Sequence, residues 1–317
     1  MGLTKFPSGL SSMGMPLIGG GYITSGNVFF VDSVTGSNGN SGTDKDHPFA
    51  DLDYAIGRCT GDKYDVIFLM PGHAENVVSA ADINCDVAGV SIIGLGNGAN
   101  RPTLTFTTAT TATIAIGADD VKMQNLVIDL TGIDAVAVGI DVNATNFTLS
   151  DCRVIGADTA GQAVIWVDIG SGAHFTTIER CQLITGAGAG AATSGSQSII
   201  HMSATAQCDY LTIKDSLLQG CTFAATINAT QAGNGWLIDN NVIRNIADTG
   251  ALAVEFGATG ATNFGFVRFN HISVGTSTQS GALVDGGHWG DLGCYENYVT
   301  DEANDTSGRL APVVQAC

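Results

Sequence analysis

The chain has little positive charge. Its 317 residues contain 12 Lys and Arg against 30 Asp and Glu, which gives a formal net charge of −18. Proteins that bind nucleic acid need basic side chains to displace counterions from phosphates, and anionic membrane surfaces attract basic segments. We therefore expect neither nucleic acid nor a membrane as a partner, and we interpret the negative charge as a source of solubility.

Long apolar runs are missing as well. No stretch of 18 apolar residues occurs, so the sequence predicts no transmembrane helix. The opening MGLTKFPSGLSSMGMPLIGGG lacks the apolar core of a signal peptide, and Phe6 stands where a myristoylation signal has Ser or Thr. We expect a chain that is neither exported by the usual route nor anchored by a lipid.

The eight cysteines lack the spacings of a metal site. There is no CxxC pair, which argues against structural zinc and against a dense disulfide framework. We expect free and mostly buried thiols. The histidines show no HxH or HExxH spacing either, so no metal or other cofactor is predicted; they are His47, His73, His174, His201, His271 and His288.

An internal repeat organises most of the chain. Glycine is abundant (42 residues) and proline scarce (six), a composition that suits short strands joined by tight turns. Seven segments share one template, an apolar residue, two spacers, a small or polar residue, one spacer and an aliphatic residue. They are VKMQNLVID, FTLSDCRVI, TTIERCQLI, LTIKDSLLQ, WLIDNNVIR, FVRFNHIS and GCYENYVT.

The period identifies the fold. The copies follow one another at intervals of 26, 29, 35, 25, 29 and 27 residues, and a second apolar stretch precedes most of them. The leucine-rich consensus and the helical patterns of ankyrin and tetratricopeptide repeats are absent. We predict an all-β, single-domain, right-handed parallel β-helix, in which each repeat is one turn and equivalent residues stack about 4.8 Å apart.

Stacking predicts the role of each column of the repeat. The column Asn241, Asn270 and Asn297 predicts an inward amide ladder. Cys152 and Cys181 occupy the same column, and we predict reduced thiols there, since parallel Cβ vectors do not suit a disulfide. Two positions earlier, opposite charges alternate on successive turns and predict an external ion-pair ladder of Glu179, Lys214, Asp239 and Arg268.

The pattern resembles the β-helix of the pectate-lyase-like superfamily. The segment HPFADLDYAIGRCTGDKYDVIFLMPGHAENV resembles the entry segment of that superfamily. This resemblance implies a capping helix from Ala50 to about Cys59, a first strand from Val66 to Met70, and a turn at Pro71 and Gly72. The resemblance covers about residues 27–300 and implies architecture only, because this fold carries enzymes, adhesins and structural proteins.

A narrower resemblance concerns the N-terminal half. The stretches TKFPSGLSSMGMP, GNVFFVDSVTGSNGNSGTDKDHPFADLDYAI and DVIFLMPGHAENV resemble small β-helix virion proteins of tailed bacteriophages. That resemblance implies a capsid decoration or head-fibre protein, located on the virion and more on the capsid surface than on the tail. It also implies a homotrimer.

No residue carries a catalytic signature. The nearest fragment is GGHWGD, with His288 and Asp291, and we interpret His288 as a loop residue. The outward carboxylates Asp168, Glu255 and Asp285 could meet across turns, as chance allows among 30 acidic residues. His201 and His271 fall in strands and are expected to be ordinary residues of their turns.

A polar run near the N-terminus also invites a metal. Asn40, Asp44 and Asp46 carry oxygens suited to calcium, but their spacing matches no EF-hand loop. We interpret the run as a solvated turn. We assign no catalytic, cofactor-binding or metal-binding residue.

These inferences give one organisation and two functions. Residues 1–26 are predicted to form an extended arm that anchors the chain to the major capsid protein or another virion protein, 27–300 the β-helix, and 301–317 a tail or cap. The first function is a non-enzymatic virion structural protein. The alternative is a short tail spike that binds or cleaves host surface polysaccharide as a lyase or glycoside hydrolase; a passive adhesin is a third reading.

Overall fold

A computed structural model describes most of the chain. The described residues are 10–12, 15–18, 22–157, 163–185, 196–202, 207–230, 233–246, 252–256, 264–274, 291–301 and 311–312. Within them, no helix is long and apolar enough to cross a membrane. Short strands make up nearly all of the regular structure.

The elements follow in chain order. The first are β1 Leu10–Ser12, β2 Met15–Ile18, β3 Tyr22–Ile23, β4 Val28–Val31, α1 Leu52–Ile56, β5 Val66–Leu69, β6 Ala74–Val77, β7 Ile83–Cys85, β8 Ser91–Gly94, a 3₁₀ turn Gly98–Asn100, β9 Thr103–Phe106, β10 Ile114–Ile116, β11 Lys122–Gln124, β12 Val127–Asp129 and β13 Val136–Val142. The second half contains β14 Thr148–Ser150, β15 Arg153–Gly156, β16 Ala163–Ile169, β17 Thr177–Glu179, β18 Gln182–Thr185, β19 Ser198–Met202, β20 Thr212–Lys214, β21 Leu217–Gly220, β22 Ala225–Ala229, β23 Trp236–Asp239, β24 Val242–Asn245, β25 Leu252–Phe256, β26 Phe264–Arg268, β27 His271–Val274, β28 Asp291–Tyr295, β29 Tyr298–Asp301 and β30 Ala311–Pro312.

Three parallel sheets wrap into a right-handed β-helix, as predicted. Sheet 1 runs β4-β5-β8-β11-β14-β17-β20-β23-β26-β28, and sheet 2 runs β6-β9-β12-β15-β18-β21-β24-β27-β29. Sheet 3 is shorter and runs β7-β10-β13-β16-β19-β22-β25. Neighbouring strands come from successive turns of the coil, and we call one such turn a rung.

The two ends of the chain meet the prediction in different ways. Helix α1 (Leu52–Ile56) lies inside the predicted capping helix and is shorter than it. In the region of the predicted arm, β1, β2 and β3 pair as an antiparallel sheet, and the rest of residues 1–21 lies outside the described residues. At the other end, β30 pairs antiparallel with β29, so Ala311 and Pro312 run along the last strand of sheet 2.

The aliphatic columns form the core. In sheet 1, one residue at the same register position of every strand from β4 to β26 points into the coil and is buried: Phe29, Ile67, Ile92, Met123, Leu149, Ile178, Ile213, Ile238 and Val267. Burial of apolar surface stabilises each rung by roughly 25 cal/mol per Å². Trp166, one of two fully buried tryptophans among the described residues, fits because Gly156 faces it: a Cβ at position 156 would lie 2.2 Å from the indole ring.

A left-handed residue turns the chain between sheets 1 and 2. The residue before the small or polar position has φ between +49° and +57° on seven rungs: Asn125, Asp151, Arg180, Asp215, Asn240, Phe269 and Glu296. Asn and Asp tolerate this conformation better than other residues with a side chain. The N–H of each of the first six donates to a carbonyl of the following rung, as Asn240 does to Arg268 (3.1 Å). The corner therefore keeps its inter-rung bond while it aims the next side chain inward.

The inward amide ladder is confirmed. The Asn270 Oδ1 accepts from the Asn241 N–H (2.9 Å) and from its Nδ2 (3.0 Å), and Asn297 Oδ1 accepts the same two bonds from Asn270. Asn270 Nδ2 also donates to the Ile238 carbonyl (2.9 Å). Ser216 continues the ladder, since its N–H donates to Asn241 and its hydroxyl oxygen accepts from the Cys181 N–H.

The two cysteines of the column are reduced, as predicted. Cys152 and Cys181 are buried and free, as are Cys85 and Cys208, while Cys59 is free and half-buried. Burial raises the pKa of the Cys152 thiol to about 12, and burial together with Cys152 raises the pKa of Cys181 further still. Both thiols therefore stay protonated and unreactive at neutral pH.

The external ion-pair ladder exists as two separate pairs. Lys214 Nζ lies 2.9 Å from Glu179, and Arg268 lies 3.0 Å from Asp239. Between Lys214 and Asp239, the described atoms form no salt bridge. Arg180 adds contacts that the sequence did not predict, because it reaches back to Asp151 (2.8 Å) and sideways to Glu179 (2.8 Å).

The ladder yields a stability prediction. Asn270→Ala would leave the buried N–H of Asn241 and the carbonyl of Ile238 without their partners, and we expect a loss of about 3 kcal/mol in the free energy of unfolding. Urea denaturation followed by circular dichroism measures it. Gln182→Ala, which removes an exposed amide from sheet 2, serves as the control and should cost under about 0.5 kcal/mol. Equal losses would show that the ladder contributes no more than a surface amide.

Candidate functional site

A polar column runs along the outside of sheet 3. The register of the sheet places one outward residue directly beside the next on five successive rungs. These residues are Asp141, Asp168, His201, Asn228 and Glu255. Because parallel strands lie about 4.8 Å apart, each of these residues is the neighbour of the one above and the one below it.

The centre of the column is a carboxylate–imidazole pair. His201 Nδ1 lies 2.7 Å from Asp168 Oδ1, and both side chains are largely shielded from solvent. The histidine is in strand β19, as predicted. The prediction of an ordinary rung residue missed its contact with Asp168, since nothing in the local sequence of either strand indicates their register.

Asp141 has a different environment. Burial and the adjacent charge of Asp168 raise the pKa of the Asp141 carboxyl, while a hydrogen bond from Asn143 opposes the rise. On its other side, Asp168 contacts the His201 imidazole. A carboxyl group that is partly buried beside a second carboxylate, as Asp141 is, is an arrangement that general acid–base chemistry uses.

The structure places the carboxylates named from the sequence as follows. Asp168 and Glu255 share the column but are three rungs apart, roughly 14 Å along the sheet, so they do not meet. Asp285 and His288 lie outside the described residues, and Asp291 is the first residue of strand β28.

The residue of the polar column that the sequence analysis missed is Asp141. Its signal was the alignment of VGIDV with IWVDI, which puts Asp141 level with Asp168.

A second concave region lies between α1 and the first rungs. It is a cavity of about 510 Å³ whose walls carry four carboxylates, those of Asp51, Asp53, Glu75 and Asp82. Glu75 accepts from the Leu52 N–H at the start of α1 (3.0 Å) and contacts His73 Nε2 (3.1 Å). His73 Nδ1 accepts a hydrogen bond from the Ser33 N–H (3.0 Å). The ring hydrogen is therefore on Nε2, which donates the hydrogen bond to Glu75.

The other three carboxylates of the cavity also bind neighbouring groups. Asp53 accepts from the Asn84 N–H (2.9 Å), and Asp82 accepts from the Val78 N–H (2.9 Å). Asp51 accepts from the Asn38 amide (2.6 Å). The bonds of Glu75 and Asp53 tie the capping helix to the first rungs, and those of Asp51 and Asp82 hold the adjoining loop and turn. Together they account for the carboxylates without a ligand.

The polar run near residue 40 is a turn, as interpreted from the sequence. Asp44 accepts from the N–H groups of Asp46 and His47, and Asn40 donates to the Pro48 carbonyl (2.8 Å). Across the described residues, no group of three or more His, Cys, Asp or Glu side chains is arranged to hold a metal ion.

Comparison with known proteins adds little. No protein family matches the chain, and no curated protein does. Among solved structures, a rhamnogalacturonan lyase is 13% identical, with a TM-score of 0.39 over 85% of this chain. A GH136 lacto-N-biosidase from Eubacterium ramulus is 11% identical, with a TM-score of 0.38 over 86% of this chain and 67% of its own length. This chain spans 62% of the lyase, and neither likeness bears on function.

The polar column yields a pH prediction. Asp168→Asn removes the neighbouring charge, so the pKa of Asp141 should fall toward its ordinary value, but not fully, because burial remains. Carboxyl ¹³C NMR titration measures the shift. The exposed Asp134→Asn is the control and should leave Asp141 unchanged.

The same shift affects stability. Because folding raises the pKa of Asp141, the stability that its protonated form contributes is lost as pH rises through the folded pKa. Asp141→Asn should remove this dependence, so the stability difference between wild type and variant should change with pH just above the ordinary pKa of aspartate. A difference that is constant with pH would contradict the assignment.

Proposed function

We propose that the protein is a non-enzymatic structural protein of a bacteriophage virion, attached to the capsid through residues 1–26 as a homotrimer. The observation that carries the proposal is how the polar side chains of the β-helix are used. The buried column from Cys181 to Asn297 bonds one rung to the next, and the carboxylates of the cavity near α1 bond the cap to the first rungs. Such a coil is a rigid rod.

The charge of the chain supports the same role. A net charge of −18 keeps many copies soluble and apart on a crowded surface. The resemblance of the N-terminal half to small virion proteins supplies the location, and the Gly-rich and Ser-rich residues 1–26 supply a segment that can order on a partner.

The test concerns the N-terminal segment. We expect that deleting residues 1–20 abolishes binding to empty capsids and leaves the circular dichroism spectrum of the β-helix unchanged. The matched control replaces residues 1–20 by a Gly/Ser linker of equal length, which should also fail to bind. Unchanged binding by the deletion would show that this segment is not the anchor, and immunogold labelling at the tail tip would overturn the capsid location.

A second candidate function is glycan hydrolysis, favoured by the pair Asp141 and Asp168. Retaining glycosidases place two carboxyl groups about 5–5.5 Å apart, one protonated and one ionised. Neighbouring rungs give a comparable spacing, and the raised pKa of Asp141 suits the proton donor. Asp168, beside His201, would be the nucleophile.

Purified protein and host polysaccharide decide between the two functions. If the protein hydrolyses glycans, it should release reducing ends from the polysaccharide. Asp141→Asn and Asp168→Asn should each lower that rate at least about 100-fold, while Asp134→Asn should leave the rate unchanged. The structural proposal predicts no release by the wild type at any of the pH values at which the fold is intact.

A further inference from the structure

The last two rungs of the β-helix expose a set of aromatic rings. Phe264 and Phe266 on β26, Phe269 at the corner, and Tyr295 and Tyr298 on the final rung are each between 41 and 55% exposed. We call these five residues the aromatic corner. Isolated exposed rings are common on protein surfaces, but a contiguous set is typical of a binding surface.

The aromatic corner is a property of the sequence and not of the coil. On earlier rungs the same outward positions are mainly polar. Before it reaches Phe266, its column passes through Lys122, Thr148, Thr177, Thr212 and Leu237. Before it reaches Phe269, the corner column passes through Asn125, Asp151, Arg180, Asp215 and Asn240. Since the backbone is the same on every rung, these rings are not needed to form the turn.

The rings form one continuous surface with Arg268. Phe266 and Tyr295 have ring centroids 6.0 Å apart, and the Arg268 guanidinium lies 5.9 Å from the Phe266 ring and 5.6 Å from the Phe269 ring. On the sheet 2 side of the corner, Tyr298 stacks on His271 at 5.1 Å. Aromatic residues and arginine are the side chains most enriched at the centres of protein interfaces.

We propose that the aromatic corner is the surface through which copies of this chain associate side by side, with their coil axes parallel. The proposal rests on the oligomer in the proposed function and gives it a contact face. Phe269, with φ of +56°, lies at the edge where sheets 1 and 2 meet. When corners of identical rods meet around an axis parallel to the coil, residues of the same rung face one another, so rings meet rings.

The nearly neutral charge of the aromatic corner suits another copy of the chain better than a basic partner. Two chains of −18 repel each other, and they approach most easily where the facing surfaces are nearly neutral. At the aromatic corner the Arg268 charge is offset by Asp239 at 3.0 Å, and Glu296 is the neighbouring exposed carboxylate. A basic partner would instead be expected on one of the acidic faces.

The test replaces the rings by residues from the same columns of earlier rungs. The triple variant Phe266→Thr, Phe269→Asn and Tyr295→Gln takes its side chains from Thr212, Asn240 and Gln124, so the coil tolerates them. Phe223→Ser, which removes an equally exposed ring elsewhere, is the matched control. The readout is sedimentation of the full chain between about 1 and 100 µM.

We expect the wild type and Phe223→Ser to sediment as one oligomer. The triple variant should sediment as a folded 32.4 kDa monomer, with its dissociation constant raised at least about 100-fold. Raising the salt concentration should strengthen wild-type association, because it screens the repulsion between acidic chains. A monomeric wild type, or a triple variant that associates as the wild type does, would overturn the proposal.

A photocrosslinking measurement covers the case in which the triple variant does not fold. Benzoylphenylalanine at position 269 should crosslink copies of the chain to each other in the purified protein, and the same label at position 223 should not. If position 269 crosslinks only to a capsid protein on virions, the aromatic corner binds a different partner and the proposal is wrong. Because the purified protein is used first, self-association can fail without the virion location failing.

Discussion

The whole structure depends on hydrogen bonding between successive rungs in a fixed register. Every strand between the two ends of the three parallel sheets bonds to the strand one turn earlier and one turn later, so its residues have equivalents directly above and below them. A slip by one residue would turn an inward column outward. The left-handed corner residues preserve this register, because their N–H groups bond to the next rung while the chain changes direction.

This constraint divides the residues into two groups. Inward positions have little freedom: they are apolar, or they are small and polar residues that bond to the next rung, as Ser216 and Asn241 do. Outward positions keep the fold whatever they are, so their chemistry changes from rung to rung. Sheet 1 carries ion pairs such as Glu179 with Lys214, sheet 3 carries Asp168 with His201, and the last rungs carry aromatic rings.

Much of the fold could be predicted because the repeat reports it directly. The copies of the template predicted the parallel β-helix and the amide ladder of Asn241, Asn270 and Asn297, while the capping helix was implied by the resemblance of the entry segment. The polar column was harder, since Asp141 and His201 reach Asp168 only through the register of sheet 3. Variable loops precede those strands, so the template of sheet 1 does not extend to them. The virion location and the homotrimer remain predictions that rest on resemblance.

By itself, the sequence determined the period and the inward columns of the repeat, because burial forces the same kind of residue to recur at the same place in each turn. The tertiary structure alone decided which residues meet across turns and sheets. Gly156 in sheet 2 makes room for Trp166 from sheet 3. Arg180 binds Asp151 of the preceding rung as well as Glu179 of its own rung. Such contacts depend on side-chain direction and on loop length between strands, and neither is encoded in a local pattern.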